Sequence, residues 1–182
     1  MPNNLEIKYF GCDVLTQKAE PITEITPEIT QLIEDMFHTM YEADGCGLAA
    51  PQVGVSKRLF VCDISKDEDK QPMVFINPEF ISFDGEQVRE EGCLSFPNIF
   101  ENVKRFETVV VKYKNELFEE CQIEATELLS VVVQHENDHL NGVLLTDKIH
   151  QLRRMANGFR LNKIRSIAQA MSNEVVVIPD DE

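Results

Sequence analysis

Between residues 26 and 42, apolar side chains fall at Ile29, Leu32, Ile33, Met36, Phe37, Met40 and Tyr41. Steps of three and one place them on one stripe of a helix. Thr26 is a capping residue and Pro27 suits a first helical turn. A helix is therefore expected over Pro27–Glu42, stopped at Asp44-Gly45. The rhythm then changes. Short β-branched and aromatic runs over 58–64, 73–78, 79–83, 86–90, 106–113 and 118–125 read as strands. Asp84-Gly85 is a hairpin signal between two of them, and Lys114-Asn115 marks a turn across which the last two would pair. SKDEDKQP, 65–72, reads as a charged loop. Helical patterning returns after Thr126, a second capping residue, and stops near Asn141-Gly142. This helix holds LLSVVV, apolar on nearly every side, and is expected to be buried. A third helix is expected over about 151–171. The expected fold is α+β, with antiparallel strands wrapped around a buried central helix and a helix at each end. One domain, 1–182, is expected, with an acidic tail at 174–182 whose VVVI run, Val175 to Ile178, is either an added edge strand or unfolded.

Composition narrows the class. At 182 residues, with 43% apolar and 27% charged residues, the chain is of ordinary globular make-up and not a fibre or a disordered tail. No apolar run approaches the length of a membrane span. The start, MPNNLEIKYFGCDVL, has neither the charged and apolar regions of an export signal nor an Arg/Ser-rich transit pattern. Acids outnumber bases 32 to 17, a net charge of −15, which argues against DNA as a partner because nucleic-acid binding needs a basic footprint. Five cysteines, an odd number, do not read as a disulfide framework. A reducing cytoplasm is the expected setting, with cysteines serving as buried hydrophobes, nucleophiles or metal ligands.

The central helix contains QHENDHLNG, Gln134 to Gly142. His135 and His139 are four apart, so their imidazoles leave one face a turn apart and can share one metal ion. Glu136 sits beside the first, placed to reach a water on that ion. Two histidines and an acid inside an apolar helix are costly unless something satisfies them. HExxH alone points to a zinc metallopeptidase with a downstream third ligand, but His150 and Glu174 are poorly spaced for that role. Upstream, EGCLSFP, Glu91 to Pro97, carries Cys93 in a turn. One thiolate and two imidazoles leave a fourth position open, the layout of a catalytic site. The plainer alternative is a buried thiol, as for Cys62 and Cys121.

Three segments in this order, GCGLAAPQ (Gly45 to Gln52), EGCLS (Glu91 to Ser95) and QHENDHLNG, resemble the peptide deformylase family. The helix before the first, the strands between them and the LLTDKI stretch after the last match as well, so the resemblance covers about residues 5–165. It implies a metal-dependent hydrolase that removes the N-formyl group from the N-terminal methionine of nascent proteins and releases formate. It implies one divalent ion, natively Fe²⁺ with Zn²⁺ or Ni²⁺ as substitutes, on Cys93, His135 and His139. Glu136 would be the general base and acid. Gln52 and the backbone N–H of Leu94 would form the oxyanion hole. Gly47 would hold the peptide as an added strand, and Glu91 would order the site from behind. Leu128, Val131 and Val132 match the methionine pocket, with plain core packing the alternative, and Cys46 lies in the tight loop against the site. Departures from the family pattern fall at Phe96, at Phe100, and at Lys114–Glu116 and Thr126-Glu127, which lack a glycine many relatives have.

From Lys148 to Asn173 there is no acid, while Lys148, Arg153, Arg154, Arg160, Lys163 and Arg165 all lie there. In so acidic a chain this is a local asymmetry. It reads either as a solvated helix face or, as in some deformylases, as a surface for docking on the ribosome. Two rivals to the enzyme remain at this point: a deformylase-like protein that grips N-termini without turnover, and another HExxH metallopeptidase. Retention of Glu136 and Gln52 disfavours the first, and Cys93 the second.

Overall fold

The computed structural model describes residues 2–65 and 70–172. Its elements, in chain order, are α1 (Pro27–Glu42), β1 (Gly47–Ala49), β2 (Leu59–Cys62), β3 (Met73–Asp84), β4 (Gln87–Gly92), β5 (Phe100–Arg105), β6 (Thr108–Lys114), β7 (Glu120–Thr126), α2 (Glu127–Leu140), α3 (Leu145–Lys148), α4 (Gln151–Ala156) and α5 (Gly158–Ser172). The fold is α+β with two antiparallel sheets. One has five strands in the order β1-β2-β3-β6-β7, and the other pairs β4 with β5.

α1 begins as its pattern requires, with the Thr26 hydroxyl accepting from the Ile29 N–H and Pro27 in the first turn. Its apolar stripe meets Leu48, Leu59, Val61 and Ile76 of the large sheet. α2 packs on the opposite cluster, where Val132, Val133 and Leu140 meet Phe60, Phe75, Val109 and Val111. The large sheet thus lies between α1 and α2, and α2 is buried along most of its length. Its last carbonyls are satisfied: the Leu140 carbonyl accepts from the Ala19 N–H and from Arg58.

Four expectations need correction. Asp84-Gly85 does turn the chain, with Gly85 at φ +61, but it joins the two sheets and closes no hairpin. The β3 edge is taken by β6, with Phe83 opposite Val109, and β4 pairs instead with β5. Residues 73–83 form one strand rather than two, bent at register shifts near Asn77–Glu79. β5 was not expected at all, because FENVKR buries Glu101, Val103 and Arg105, and alternating buried charge reads as surface in a sequence. The single third helix is two, α4 and α5, preceded by the short α3. The break falls at Asn157, whose side chain donates to Glu101 and to the Arg153 carbonyl, followed by Gly158, a poor helix former.

Thr126 stands at the start of α2 as expected, yet its side chain makes no capping hydrogen bond. Glu127 follows with φ +49, a left-handed conformation that favours glycine. That is one of the places where the family resemblance implies a glycine. Much of the charged loop at 66–69 and the tail at 174–182 lie outside the described residues.

Candidate active site

Three pieces of chain converge. α2 delivers His135, Glu136 and His139 from its buried face, with exposures of 9%, 4% and 1%. The turn after β4 delivers Cys93, its carbonyl accepting from the Phe96 N–H at 2.8 Å. The tight segment after α1 delivers β1 and then a 3₁₀ turn, Ala50–Val53, that carries Gln52. The ligand atoms of Cys93, His135 and His139 lie within 4.8 Å of one another, and Cys93 Sγ is 3.3 Å from His139 Nε2.

The surroundings suit a cation. His135 Nδ1 lies 2.8 Å from the Glu91 carboxylate, which fixes the ring and leaves Nε2 to ligate, the usual second contact of a metal-binding histidine. Burial lowers the His135 pKa, but Cys93 and Glu91 together hold it well above its ordinary value, so the pocket favours positive charge here. Burial, then the nearby His135 and Arg105, keeps His139 neutral, the form that binds metal. The donor set, one sulfur and two imidazoles, suits Fe²⁺, Zn²⁺ or Ni²⁺. These three side chains fit a divalent ion.

Glu91 is wholly committed to this frame. Arg105 donates to both its oxygens, at 2.7 and 2.9 Å. Burial raises the Glu91 pKa, but Arg105 and His135 overcome that and hold it at about 2. Arg105 also pairs with Asp138, which pairs with Lys148. Arg105 and Asp138 were missed in the sequence. The available signal was Asp138 inside the HENDH run, on the turn shared by the two histidines.

Glu136 behaves differently. Its carboxyl is enclosed, its Oε2 has no protein hydrogen-bond partner, and burial raises its pKa to about 7. A buried carboxyl left unpaired is expensive, and one poised near neutrality can give and take a proton. Gly47 makes room for it. A Cβ at Gly47 would fall 2.9 Å from Glu136 Cδ and closer still to Oε1. Gln52 is buried too. Its Oε1 accepts from the Ala49 N–H at 2.8 Å, so its amide nitrogen faces Cys93 Sγ at 3.5 Å and Ser95 Oγ at 3.3 Å.

A cavity of about 580 Å³ opens on this group. It is lined by every candidate residue named from the sequence except His139, which lies deeper. Leu128, Val131 and Val132 line it from one face of α2, and Cys46, Gly47 and Leu94 from the opposite side. Phe96 packs on Phe10 with ring centres 5.1 Å apart and forms part of the floor. Phe100, 61% exposed, stands at the cavity's edge against Gly92.

Comparison with known proteins agrees with this geometry. The model of the family described as Polypeptide deformylase matches residues 4–155. A peptide deformylase of Thermodesulfovibrio yellowstonii is 52% identical over 151 residues, covering 82% of this chain and 92% of that one. The crystal structure of a Legionella pneumophila peptide deformylase superposes with a TM-score of 0.84 at 38% identity, over 96% of this chain and 100% of that one. A Met-Ala-Ser-bound class I type b peptide deformylase from Acinetobacter baumannii superposes at 0.77 with 34% identity, over 82% of this chain and 100% of that one. Such enzymes are metal-dependent hydrolases that take the formyl group from the N-terminus of nascent peptides. This chain belongs to the peptide deformylase family.

Proposed function

We propose that Cys93, His135 and His139 hold one divalent ion and that Glu136 carries the proton in hydrolysis of N-terminal formyl-methionine. The observation that carries this reading is the unpaired, buried Glu136 carboxyl beside a three-donor cluster that faces a cavity of about 580 Å³. A divalent ion there supplies Lewis acidity and acidifies water bound to it. Glu136 takes a proton from the attacking water and returns it to the amine nitrogen as the C–N bond breaks, so that water and formamide become formate and a free amine. Gln52, locked by Ala49, aims an N–H at the developing oxyanion, and the Leu94 backbone N–H is its partner.

β1 ends the five-stranded sheet, so a peptide can lie along it as an added strand. Its first residue, Gly47, stands next to Glu136, and Cys46 lines the rim. Leu128, Val131 and Val132, at steps of three and one, form the apolar wall for the methionine side chain. That the Acinetobacter neighbour holds Met-Ala-Ser supports a peptide that begins with methionine as the kind of ligand taken here. Fe²⁺ is the native ion, and Zn²⁺ or Ni²⁺ can stand in for it on the same donors. The test is formate release from formyl-Met-Ala by protein purified without oxygen, with metal analysis beside it. The Fe²⁺ form should lose activity in air faster than the Zn²⁺ and Ni²⁺ forms, because both Fe²⁺ and the Cys93 thiolate are oxidisable.

The ribosome is proposed as the place of action, reached through the acid-free stretch. Four of its six cations are already engaged. Lys148 pairs with Asp138, Arg153 with Glu101 and, at 3.8 Å, Arg154 with Asp147, and Arg165 lies over the Phe10 ring. Arg160 and Lys163 have no ion pair among the described residues and are the ones available to a phosphate backbone.

A further inference from the structure

A second hollow, of about 630 Å³, opens where α3, α4 and α5 meet, and a separate set of residues from those of the catalytic cavity lines it. That is a size that takes small molecules. α4 lends it Gln151, Arg154 and Met155, and α5 lends Gly158, Leu161, Asn162 and Arg165. Steps of three and one put each set on one helix face. Phe10, Ile149 and Leu161 give it an apolar side. Its polar groups are weakly committed to the fold. Thr146 lines it and is only 3% exposed, yet its hydroxyl oxygen has no hydrogen-bond partner among the described residues. A buried hydroxyl left unpaired is costly, and one on the wall of a hollow can be satisfied by what enters.

The charge of the wall is positive in a chain of net charge −15. Two arginines face one acid, Asp147, among the described residues that line it. Arg154 comes no nearer to Asp147 than 3.8 Å, and both side chains are about half exposed, so their pairing contributes little. The Asp147 carboxylate is also held by the Leu144 N–H at 2.9 Å. Arg165 stacks with its guanidinium carbon 4.9 Å from the Phe10 ring centre, which orients the fork and leaves its edge to an acceptor. We propose that this hollow binds a phosphate ester with a flat or apolar body. The phosphate lies on Arg154, Arg165 and the Thr146 hydroxyl, because two planar forks and a hydroxyl donor suit an anion with several oxygens. The body of the ester lies against Ile149, Met155 and Leu161. Arg160 and Lys163, the cations assigned above to the ribosome, take no part. Gly158 supplies a way to close the site: a Cβ there would meet nothing within 4 Å among the described residues, and its backbone is not left-handed, so a larger side chain can fill the hollow without strain.

The experiment follows amide NMR shifts of the Zn²⁺-loaded full chain while adenosine 5′-monophosphate is added, with adenosine and inorganic phosphate as parallel arms. The nucleotide should move Thr146, Arg154, Gly158 and Arg165 in a saturable way, inorganic phosphate should move the same residues less, and adenosine should bind at least about tenfold more weakly than the nucleotide. Arg165→Met should weaken nucleotide binding by about tenfold or more. Thr146→Val should weaken it by roughly three- to tenfold without lowering the melting temperature, since the hydroxyl it removes has no partner in the fold. Gly158→Leu should abolish it. Arg160→Gln with Lys163→Gln should change it by less than about threefold at about 0.15 M salt, where distant exposed charges are screened. Hydrolysis of formyl-Met-Ala should be unchanged in all these variants. Displacement of the nucleotide by a six-nucleotide RNA without terminal phosphates would assign the ester to a nucleic-acid strand, and failure to displace it, to a free phosphate ester. No saturable shift up to about 10 mM nucleotide, weaker than any useful affinity, would overturn the proposal. So would binding that survives both Thr146→Val and Gly158→Leu unchanged, or shifts centred on Gln52 and Glu136, which would place the phosphate on the metal.

Discussion

The catalytic centre and the C-terminal helices are built by opposite rules. Around Cys93, His135 and His139, each polar group is placed by another: Arg105 holds Glu91, Glu91 holds His135, and Ala49 holds Gln52. The exceptions are His139 Nδ1 and Glu136 Oε2, both buried without a hydrogen-bond partner, the second where the proposed chemistry needs a proton carrier. Along α4 and α5 the core contact is a thin line of apolar residues, while Leu152, Met155 and Phe159 project into solvent at 67%, 68% and 84% exposure. In the first region a fraction of an ångström decides function, because a preorganised site works only if its supports are fixed. In the second, charge and apolar area decide, and those tolerate displacement. Mutations should therefore act on turnover in the first region and on association in the second.

The strongest test is Glu136→Ala. It should keep the metal, since Glu136 is not among the clustered ligands, and should lose about 10²–10⁴-fold in kcat, the usual weight of a positioned acid–base group. Metal content by mass spectrometry and formate release settle both halves. Near wild-type turnover would remove Glu136 from the chemistry. Next in size is Arg105→Met. Arg105 and Glu91 are each about 6% exposed, and removing one partner leaves a buried carboxylate uncompensated, at about 3–5 kcal/mol. The melting temperature should fall, and metal affinity should drop by about 10–100-fold, as for other losses behind a histidine ligand. A variant with unchanged melting and chelator resistance would show that the Glu91–Arg105 pair does not support His135.

Legibility followed the same division. The placement of His135, Glu136 and His139 together was readable because a helix fixes the spacing of its side chains, so HExxH in sequence is a geometry in space. Cys93 needed the resemblance as well, since nothing local relates residue 93 to residue 135. Arg105 and Asp138 were missed because an ion pair across β5 and α2 has no sequence period, and the place of Asp138 in the HENDH run names no partner. α1 was readable to the residue, as its stripe, cap and stop all agreed. β5 was not, because its inward positions include Glu101 and Arg105, and these are buried only because Asn157, Arg153, Glu91 and Asp138 meet them. The break between α4 and α5 escaped for the same reason: Asn157 is drawn to Glu101, a contact 56 residues away in the chain.

Gly47→Ala sharpens the comparison from inside the catalytic region. The added methyl would meet the Glu136 carboxylate, and β1 is locked to β2 with Gly47 opposite Cys62, so the side chain must give way. A fall of roughly tenfold or more in kcat/KM is expected, in line with the cost of misplacing a catalytic group, with little change in melting temperature. Equal activity would mean that Glu136 has room the structure does not show.

The smallest effect on turnover is expected at the other end. Arg160→Glu with Lys163→Glu reverses two exposed charges that hold no ion pair among the described residues, and so should leave formyl-Met-Ala hydrolysis unchanged. Arg153 is unsuitable for this purpose. Its guanidinium holds the buried Glu101 at 2.9 Å, and its loss would disturb the packing of α4 on β5. If α5 docks on ribosomal RNA, the wild-type chain should co-sediment with ribosomes at low salt and dissociate as salt rises, because each phosphate contact releases condensed counterions. The double reversal should abolish co-sedimentation. A wild-type chain that never sediments, or a variant that sediments equally well, would leave α5 without a ribosomal role and would confine the enzyme's recognition of nascent chains to the cavity and β1.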